Sequence, residues 1–552
     1  MNKTMKIKTG MVILGALWFI LLVNGSYVKP LEGVVSAEGF YPGLGNPLCQ
    51  LYDTYLQRGT KAARRFARRH GIQMQGNSVQ VVAESGPSGT EVQVQAGATA
   101  AALAVEDLGG HVETRFRHMV QSMIPLESLA PLSENAAVKH VRLPMRPVPL
   151  ATSEGVASTG ADQWHAVPVY RGSGSPARVC VLDLGFMGYQ ELVGTELPST
   201  TTTASFRADK DIAAGISHGT ACAEVIHDMA PNASLVLVNY STDVEHHQAV
   251  EWIIANNVDV ISYSMGWLSA GAGDGTGPIC EDVNKAHQAG IVWVSAAGNS
   301  AEQHWQGKFT DRSGDSWHEF DKKSVEETDY FTFKVERGAS FSVWLNWDDW
   351  GSWDGSAYVG SEGNDYDLYV YDRNFTLLDK SNSRQTQGAY PIEGISLKAK
   401  YQGKYYIRIK NRKTQRNCSL ELFFSKASDL EHVDPYSSIN VPADSPHAVT
   451  VGAVGFGNDN FHAYTSRGPT NDRRIKPDLC APAGISTETY GKFSYFGTSA
   501  GAAHVAGAVA LLKEKTLYSN DQILAILKAR ARDLGPAGKD NLYGEGKLNL
   551  IK

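Results

Sequence analysis

The sequence predicts an α/β protein built on a doubly wound, mainly parallel sheet, with an antiparallel β-sandwich inserted into it and a small α+β unit ahead of it. Three observations predict this. Near-continuous apolar strands alternate with helical stretches from about residue 151 to 301 and again from 436 to 552, the pattern of strands covered on both faces. Period-2 runs rich in Tyr, Phe, Trp and Val fill residues 302 to 435. Pro, Ser, Gly and Thr crowd "MRPVPLATSEGVASTG" (145 to 160), a linker open to proteolysis that sets residues 38 to 150 apart.

The 552 residues and 42% hydrophobic content suffice for more than one packed core, and a net charge of −7 gives no reason to expect nucleic acid. At the N-terminus Lys3, Lys6 and Lys8 precede the apolar run "MVILGALWFILLV" (11 to 23) and the small residues Ser36 and Ala37. That order predicts a signal peptide over residues 1 to 37 and a secreted or periplasmic protein. No charge occurs from Thr9 to Val28, so an uncleaved membrane anchor is the alternative. Six cysteines are too few for a disulfide scaffold in an exported chain of this length, and Cys180 and Cys222 read as buried thiols.

Between 49 and 150 the reading is a basic helix, with "RGTKAARRFARRH" (58 to 70) as its solvated face, then a strand "EVQVQAG" (91 to 97) and a helix "ATAAALAVEDLG" (98 to 109). The α/β part follows with strand "ARVCVLD" (177 to 183), a helix from His218, strand "ASLVLVNY" (233 to 240) and helix "VEHHQAVEWIIANN" (244 to 257). Strand "VDVISYS" (258 to 264), a helix near 280 to 289 and strand "IVWVSAAGN" (291 to 299) complete its first half. The sandwich strands are "YFTFKV" (330 to 335), "SFSVWLNW" (340 to 347), "DYDLYVYD" (365 to 372) and "YYIRIK" (405 to 410). The pattern resumes with "HAVTVGAV" (447 to 454), the helix of "FGTSAGAAHVAGAVALL" (496 to 512) and a last helix near 520 to 531.

In a parallel sheet the working residues gather beyond the carboxyl ends of the strands, and four such ends carry reactive types. Asp183 ends the first strand, a carboxylate able to orient a histidine. His218 opens a helix amid small residues, suited to a base that must approach a hydroxyl. Asn299 follows "SAAG" and offers an amide donor. Ser499 stands at the mouth of a helix of tiny residues, where unpaired backbone N–H groups stabilise an oxyanion. Each of the four has an ordinary structural reading alone, as a turn or capping residue. Together, in the order Asp, His, Asn, Ser, they supply a nucleophile, its base, an orienting acid and an oxyanion donor.

The segments "VLDLG", "SHGTACAEVIHDMAPNASL", "VISYSMG", "AAGN", "SRGPTNDRRIKPDLCAPAG" and "GTSAGAAHVAG" resemble the landmarks of the subtilisin-like serine proteases over about 160 to 301 and 436 to 552. The resemblance implies a secreted serine endopeptidase in which Asp183 orients His218, His218 deprotonates Ser499, and Asn299 with the Ser499 N–H holds the oxyanion. It implies that Ser264, Met265 and Gly266, with Ala296, Ala297 and Gly298, pair with the backbone of a polypeptide substrate and border its first specificity pocket. It also implies that residues 38 to 150 are an inhibitory pro-segment, self-cleaved in the linker, and that the chemistry requires no cofactor. Cys222, four residues after His218, resembles the thiol beneath the base of proteinase K-like members. The block 302 to 435 resembles β-sandwich modules of bacterial secreted peptidases. Its Asp348, Asp349, Asp365 and Asp367 have the oxygen donors structural calcium takes, although turn carboxylates are the preferred reading.

Two features depart from the family pattern. Ala500, Gly501, Ala502 and Ala503 replace the usual Met, Ala, any residue, Pro after the serine, which predicts an altered pocket rather than lost activity. The sandwich separates Asn299 from the rest of the fold. Two other functions fit parts of the sequence: a catalytically silent exported binding protein, disfavoured by the four intact residues, and an acid-acting serine-carboxyl peptidase, disfavoured by His218 in place of Glu.

Overall fold

The computed structural model describes residues 41, 43–70, 72–85, 91–145, 148–149, 155–165, 167, 176–320, 329–385 and 389–551. The expected signal peptide and part of the 145–160 linker lie outside them. In the N-terminal unit, helices α1 (Asn46–Arg69) and α2 (Glu91–Asp107) share a core with an antiparallel sheet. Its strands are β1 (Met74–Gln75), β2 (Ser78–Glu84), β3 (His111–Phe116), β4 (Met119–Pro125) and β5 (His140–Arg142), in the order β1-β2-β4-β3 with β5 also paired to β2. Arg58, Lys61, Arg64, Arg65 and Arg68 are exposed along α1.

The strand expected at 91 to 97 is instead the beginning of α2. Alternating valines suggested period 2, but Val94, Ala98, Ala101, Ala102 and Val105 turn inward at helical spacing. A short alternation thus yielded to the longer 3.6-residue period that continues from it. A two-residue strand, β6 (Val148–Pro149), lies in the linker.

The first half of the α/β part comprises β7 (Arg178–Asp183), β8 (Thr202–Ser205), α3 (His218–Met229), β9 (Ser234–Asn239), α4 (Asp243–Ala255), β10 (Val260–Tyr263), β11 (Met265–Gly266), α5 (Pro278–Gln288) and β12 (Val292–Ala296). Two four-stranded antiparallel sheets follow. They are built from β13 (His304–Lys308), β14 (Phe331–Val335), β15 (Ser340–Trp347), β16 (Asp365–Tyr371), β17 (Leu377–Ser381), β18 (Ile392–Lys398), β19 (Gly403–Lys413) and β20 (Ser419–Ser425). Their orders, β13-β20-β15-β18 and β14-β19-β16-β17, enclose a common core that includes Phe331, Phe341, Leu345, Tyr366 and Ile407.

The four sandwich aspartates do not converge on one point. Asp349 accepts from the backbone N–H groups of Glu362 and Asn364, and Asp348 from Arg416 and the Ser419 N–H. Asp367 accepts from Tyr369 and faces Arg412. Burial pushes the Asp365 carboxyl up to about 6.

The α/β part closes with β21 (Ala448–Gly455), β22 (Leu479–Ala483), α6 (Thr498–Lys515) and α7 (Asn520–Arg530). Its strands form one parallel seven-stranded sheet, β22-β21-β12-β10-β7-β9-β8. The two outermost strands, β8 and β22, were not legible in the sequence. An edge strand need not be apolar on both faces, so "TTAS" and the Pro482-containing "LCAPA" lack the central-strand signature. Among the described residues, no helix is long and apolar enough to cross a membrane.

The tiny residues of α6 have a packing reason. A Cβ on Gly501 would stand 2.6 Å from the Gly452 carbonyl oxygen of β21, so glycine lets the helix rest on strand backbone. Ala500, Ala502 and Ala503 are likewise buried. None of the six cysteines forms a disulfide.

Candidate active site

Asp183, at the C-terminal end of β7, accepts a hydrogen bond from the Leu184 N–H at 2.7 Å through Oδ1, and its Oδ2 lies 2.7 Å from Nδ1 of His218. Nε2 of the same imidazole lies 3.2 Å from Ser499 Oγ. Because Nδ1–H faces the carboxylate, Nε2 is left as the acceptor for the hydroxyl proton. All three side chains are buried. This alignment requires α3 to begin hard against the end of β7. A Cβ on Gly219 would approach Phe186 Cε1 to 2.5 Å and Asp183 Cβ to 2.8 Å, so glycine is what admits His218 to its place.

Ser499 is the second residue of α6, whose N-cap is Gly497 at φ +119°. Its N–H therefore belongs to the first turn, where backbone donors have no intrahelical acceptor. Asn299 lies beside that turn. The N–H and hydroxyl of Thr498 both donate to Asn299 Oδ1, at 3.0 and 3.1 Å, and the Gly298 N–H donates to the Thr498 hydroxyl oxygen at 3.2 Å. With Oδ1 so held, the amide's orientation is set and Nδ2 is its remaining donor. Thr498 was not singled out from the sequence; its place between Gly497 and Ser499 was the available signal.

The expected substrate strands flank the serine. Ser264 donates to the Ser499 carbonyl oxygen at 3.2 Å, and its own carbonyl oxygen lies 3.5 Å from Ser499 Oγ. Between Gly266 and Gly298 stands the amide of Asn440, buried and bonded to Ser300. A Cβ on Gly266 would come within 2.8 Å of Asn440 Oδ1. Asn440 follows the sandwich in sequence, and nothing in its local pattern marked it as part of this slot. Met265, Ala296 and Ala297 are buried in the same strands.

Other histidines are excluded as the base by their surroundings. His504, five residues beyond Ser499, faces the Ala500 carbonyl through Nδ1 at 2.8 Å, and burial holds it down to about 4. His246 and His247 both contact Asp282 Oδ2, at 3.0 and 2.5 Å, with the Lys285 ammonium 3.7 Å from its other oxygen. Burial would raise that carboxyl, but the two imidazoles beside it hold it well below the usual carboxylate range.

Cys222 lies one helical turn beyond His218. Its Sγ and the donor atoms of Asp183 and His218 are all within 4.8 Å of one another. Tyr495 donates to the sulfur at 3.1 Å, and burial raises the thiol well above its ordinary value. Further along the same helix, Glu224 accepts from the Glu488 and Thr489 N–H groups and the Thr489 hydroxyl, pinning the turn that leads to Tyr495. Burial pushes its carboxyl up to about 7, the three hydrogen bonds acting in the opposite direction.

A parallel sheet with a carboxylate, imidazole and hydroxyl in relay at its strand ends defines a serine hydrolase site. Residues 174–326 and 426–546 match the subtilase family, and the catalytic domain of this chain belongs to it. An extracellular serine protease of Serratia marcescens is 53% identical over 55 residues, which cover 10% of this chain and 5% of that protein. Subtilisin BL of Lederbergia lenta is 38% identical over 114 residues, 20% of this chain and 40% of that protein. The chain thus spans less than half the length of these two relatives. Among solved structures, the CspB protease of Clostridium perfringens aligns with 71% of this chain and 97% of its own at 15% identity and a TM-score of 0.48.

Two predictions follow from the surroundings of the relay. An aryl mercurial is expected to inactivate the enzyme, and Cys222→Ala to remain active but insensitive; a wild type indifferent to the reagent would show that the thiol is sealed off. For Glu224, the folded value near 7 exceeds the ordinary value of 4.5, so the fold favours the neutral acid and loses stability as pH rises between those values. Melting temperature measured across pH 4.5 to 7.5 is expected to fall less with rising pH in Glu224→Gln than in wild type. Parallel curves would show that Glu224 is ionised throughout.

Proposed function

We propose that this protein is an exported serine endopeptidase that acts on polypeptides through Asp183, His218 and Ser499 and processes itself from a proenzyme. The observation that carries the reading is the continuous relay, 2.7 Å from Asp183 to His218 and 3.2 Å from His218 to Ser499. In the acylation step Ser499 Oγ attacks the scissile carbonyl carbon while His218 Nε2 takes its proton. Asp183 holds the imidazole and stabilises the cation that forms. The developing oxyanion is received by the Ser499 N–H and Asn299 Nδ2, a type of contact whose loss costs about 10²- to 10³-fold in turnover. His218 then returns the proton to the leaving amine, and water hydrolyses the acyl-enzyme by the same relay. The side chains suffice for this chemistry without a cofactor.

The reading of residues 38 to 150 as a pro-segment is supported by where the linker leads. β6 runs antiparallel to β11, with Pro149 opposite Met265 and Val148 opposite Gly266. β11 directly follows Ser264, whose carbonyl oxygen lies 3.5 Å from Ser499 Oγ, so the β6 part of the linker runs beside the nucleophile. Export rests on the N-terminal order of lysines, apolar run and small residues, with an uncleaved anchor as the lesser option. For structural calcium in the sandwich, the separate partners of Asp348, Asp349 and Asp367 favour turn carboxylates.

Ser499→Ala and His218→Ala are each expected to lower kcat by about 10⁶-fold, the magnitude known for the triad of subtilisin, and the double variant to lose little more because the pair acts as one unit. Peptide hydrolysis persisting above about one per cent in either would overturn the assignment. Intact mass and N-terminal sequencing of the wild type are expected to find a chain beginning within the linker at 145 to 160, with Ser499→Ala left uncut. Equal processing of both chains would exclude self-cleavage, and an N-terminus outside the linker would exclude this cleavage site.

A further inference from the structure

The N-terminal unit has two separate supports. One is the catalytic domain. Arg142 of β5 bridges Glu84 at 2.8 Å and Asp243 of α4 at 2.5 Å, Gln121 joins Glu245 and Thr242, and Phe116 stacks on His247 with ring centroids 4.8 Å apart. Val82, Phe116 and Met119 close an apolar cluster with Val244.

The other support is the inserted sandwich. His70, at the C-terminal end of α1, lies 2.9 Å from Asp379 Oδ2 with both side chains about nine-tenths covered. Twenty residues earlier, on the other side of the break in α1 at Gly59, Gln50 Nε2 donates to the Lys380 carbonyl oxygen at 2.7 Å. Asp379 and Lys380 belong to β17, an edge strand whose backbone groups are available to a partner. Tyr390, just before β18, is the sandwich residue whose phenol is raised by burial beside Arg142, Glu84 and Asp243.

The sandwich in turn is fastened to the catalytic domain through the loop that follows β11. Asn346 donates to Ser269 at 3.1 Å, Tyr358 donates to the Thr276 carbonyl oxygen at 3.0 Å, and the Ala272 N–H donates to the Tyr358 oxygen at 3.1 Å. The two supports are therefore held in fixed relation by contacts that do not involve the N-terminal unit.

From this geometry we infer that the β17 edge of the sandwich is a second docking surface for the pro-segment, accepting α1, so that the cut pro-segment is retained by two sites at once. This rests on the reading of residues 38 to 150 as a pro-segment. Cleavage of one bond in the linker touches neither support. With two contacts preset on one rigid partner, release of either leaves the other holding the segment at high effective concentration. Retention after cleavage, rather than cleavage itself, then governs when activity appears. A catalytic domain without the insert would keep only the α4 support.

The experiment uses the full chain with Gln50→Ala/His70→Ala, substitutions confined to the part that is removed, so the mature enzyme is chemically unchanged. Intact mass follows cleavage, size exclusion follows co-elution of the cut segment, and hydrolysis of a peptide substrate follows the lag. Cleavage at the wild-type rate, release about tenfold faster, a shorter lag and the same final kcat/KM are expected; tenfold is what two hydrogen bonds of ordinary strength amount to. Release within twofold of wild type would overturn the inference.

Asp379→Asn removes the same contact from the sandwich side and serves if the double variant does not fold. In the Ser499→Ala background, with the linker cut by an added protease, the same acceleration is expected. Failure there overturns the second docking surface even if the chain does not cut itself. Failure of the wild type to cut itself overturns only the self-processing reading.

Discussion

The hydrogen-bonded line from Asp183 through His218 to Ser499 is the constraint on which the rest of the α/β part depends. Its members come from the end of β7, the start of α3 and the first turn of α6, elements far apart in sequence. Holding three side chains in hydrogen-bond contact requires each element to approach the others more closely than ordinary side chains permit. Glycine at 219 and 501, and alanine around the serine, are the local consequence: contacts that would have been made by side chains are made by backbone. The family's proline position is Ala503 here, so α6 continues from Thr498 to Lys515 without losing a hydrogen bond to proline in its first turns.

Thr498 links two parts of the site. Its hydroxyl accepts from Gly298 and donates to Asn299, so the same residue that opens α6 fixes the amide beside it. Asn440 does comparable work in the slot bordered by Gly266 and Gly298, where its amide is steadied by Ser300. The sandwich lies between Asn299 and Asn440 in sequence, yet both amides serve one site. An insertion of this size is tolerated because its ends leave and rejoin the sheet at neighbouring points, and loop-closure cost grows slowly with length.

The N-terminal unit meets the catalytic domain through buried charge as well as apolar surface. Arg142 faces two carboxylates at once, and removing either would leave a buried charge short of a partner, which typically costs about 3 to 5 kcal/mol. Such an interface specifies one docking pose strongly. The Asp282 carboxylate beneath it is contacted by His246, His247 and Lys285, so the stack of Phe116 on His247 covers a partnered carboxylate rather than a bare one.

Much of this was legible in the amino-acid order. Central strands were readable because burial on both faces demands unbroken apolar runs, and Asp183, His218 and Ser499 because a strand end or helix start amid tiny residues is a costly place for a reactive group. The edge strands β8 and β22 were not, since an edge has only one neighbour and carries weaker demands. Residues 91 to 97 misled because a seven-residue window cannot separate two periods when the deciding contacts lie in the next three turns. The order of residues by itself determined the central strands of the sheet and the β-rich block within it, and singled out Asp183, His218 and Ser499 as candidates, all of which depend on local period and residue type. Only tertiary structure decided that Thr498 orients Asn299, that Asn440 enters the slot and that β6 lies on β11. Each of those depends on the separation of atoms brought together from distant parts of the chain, which no local pattern encodes.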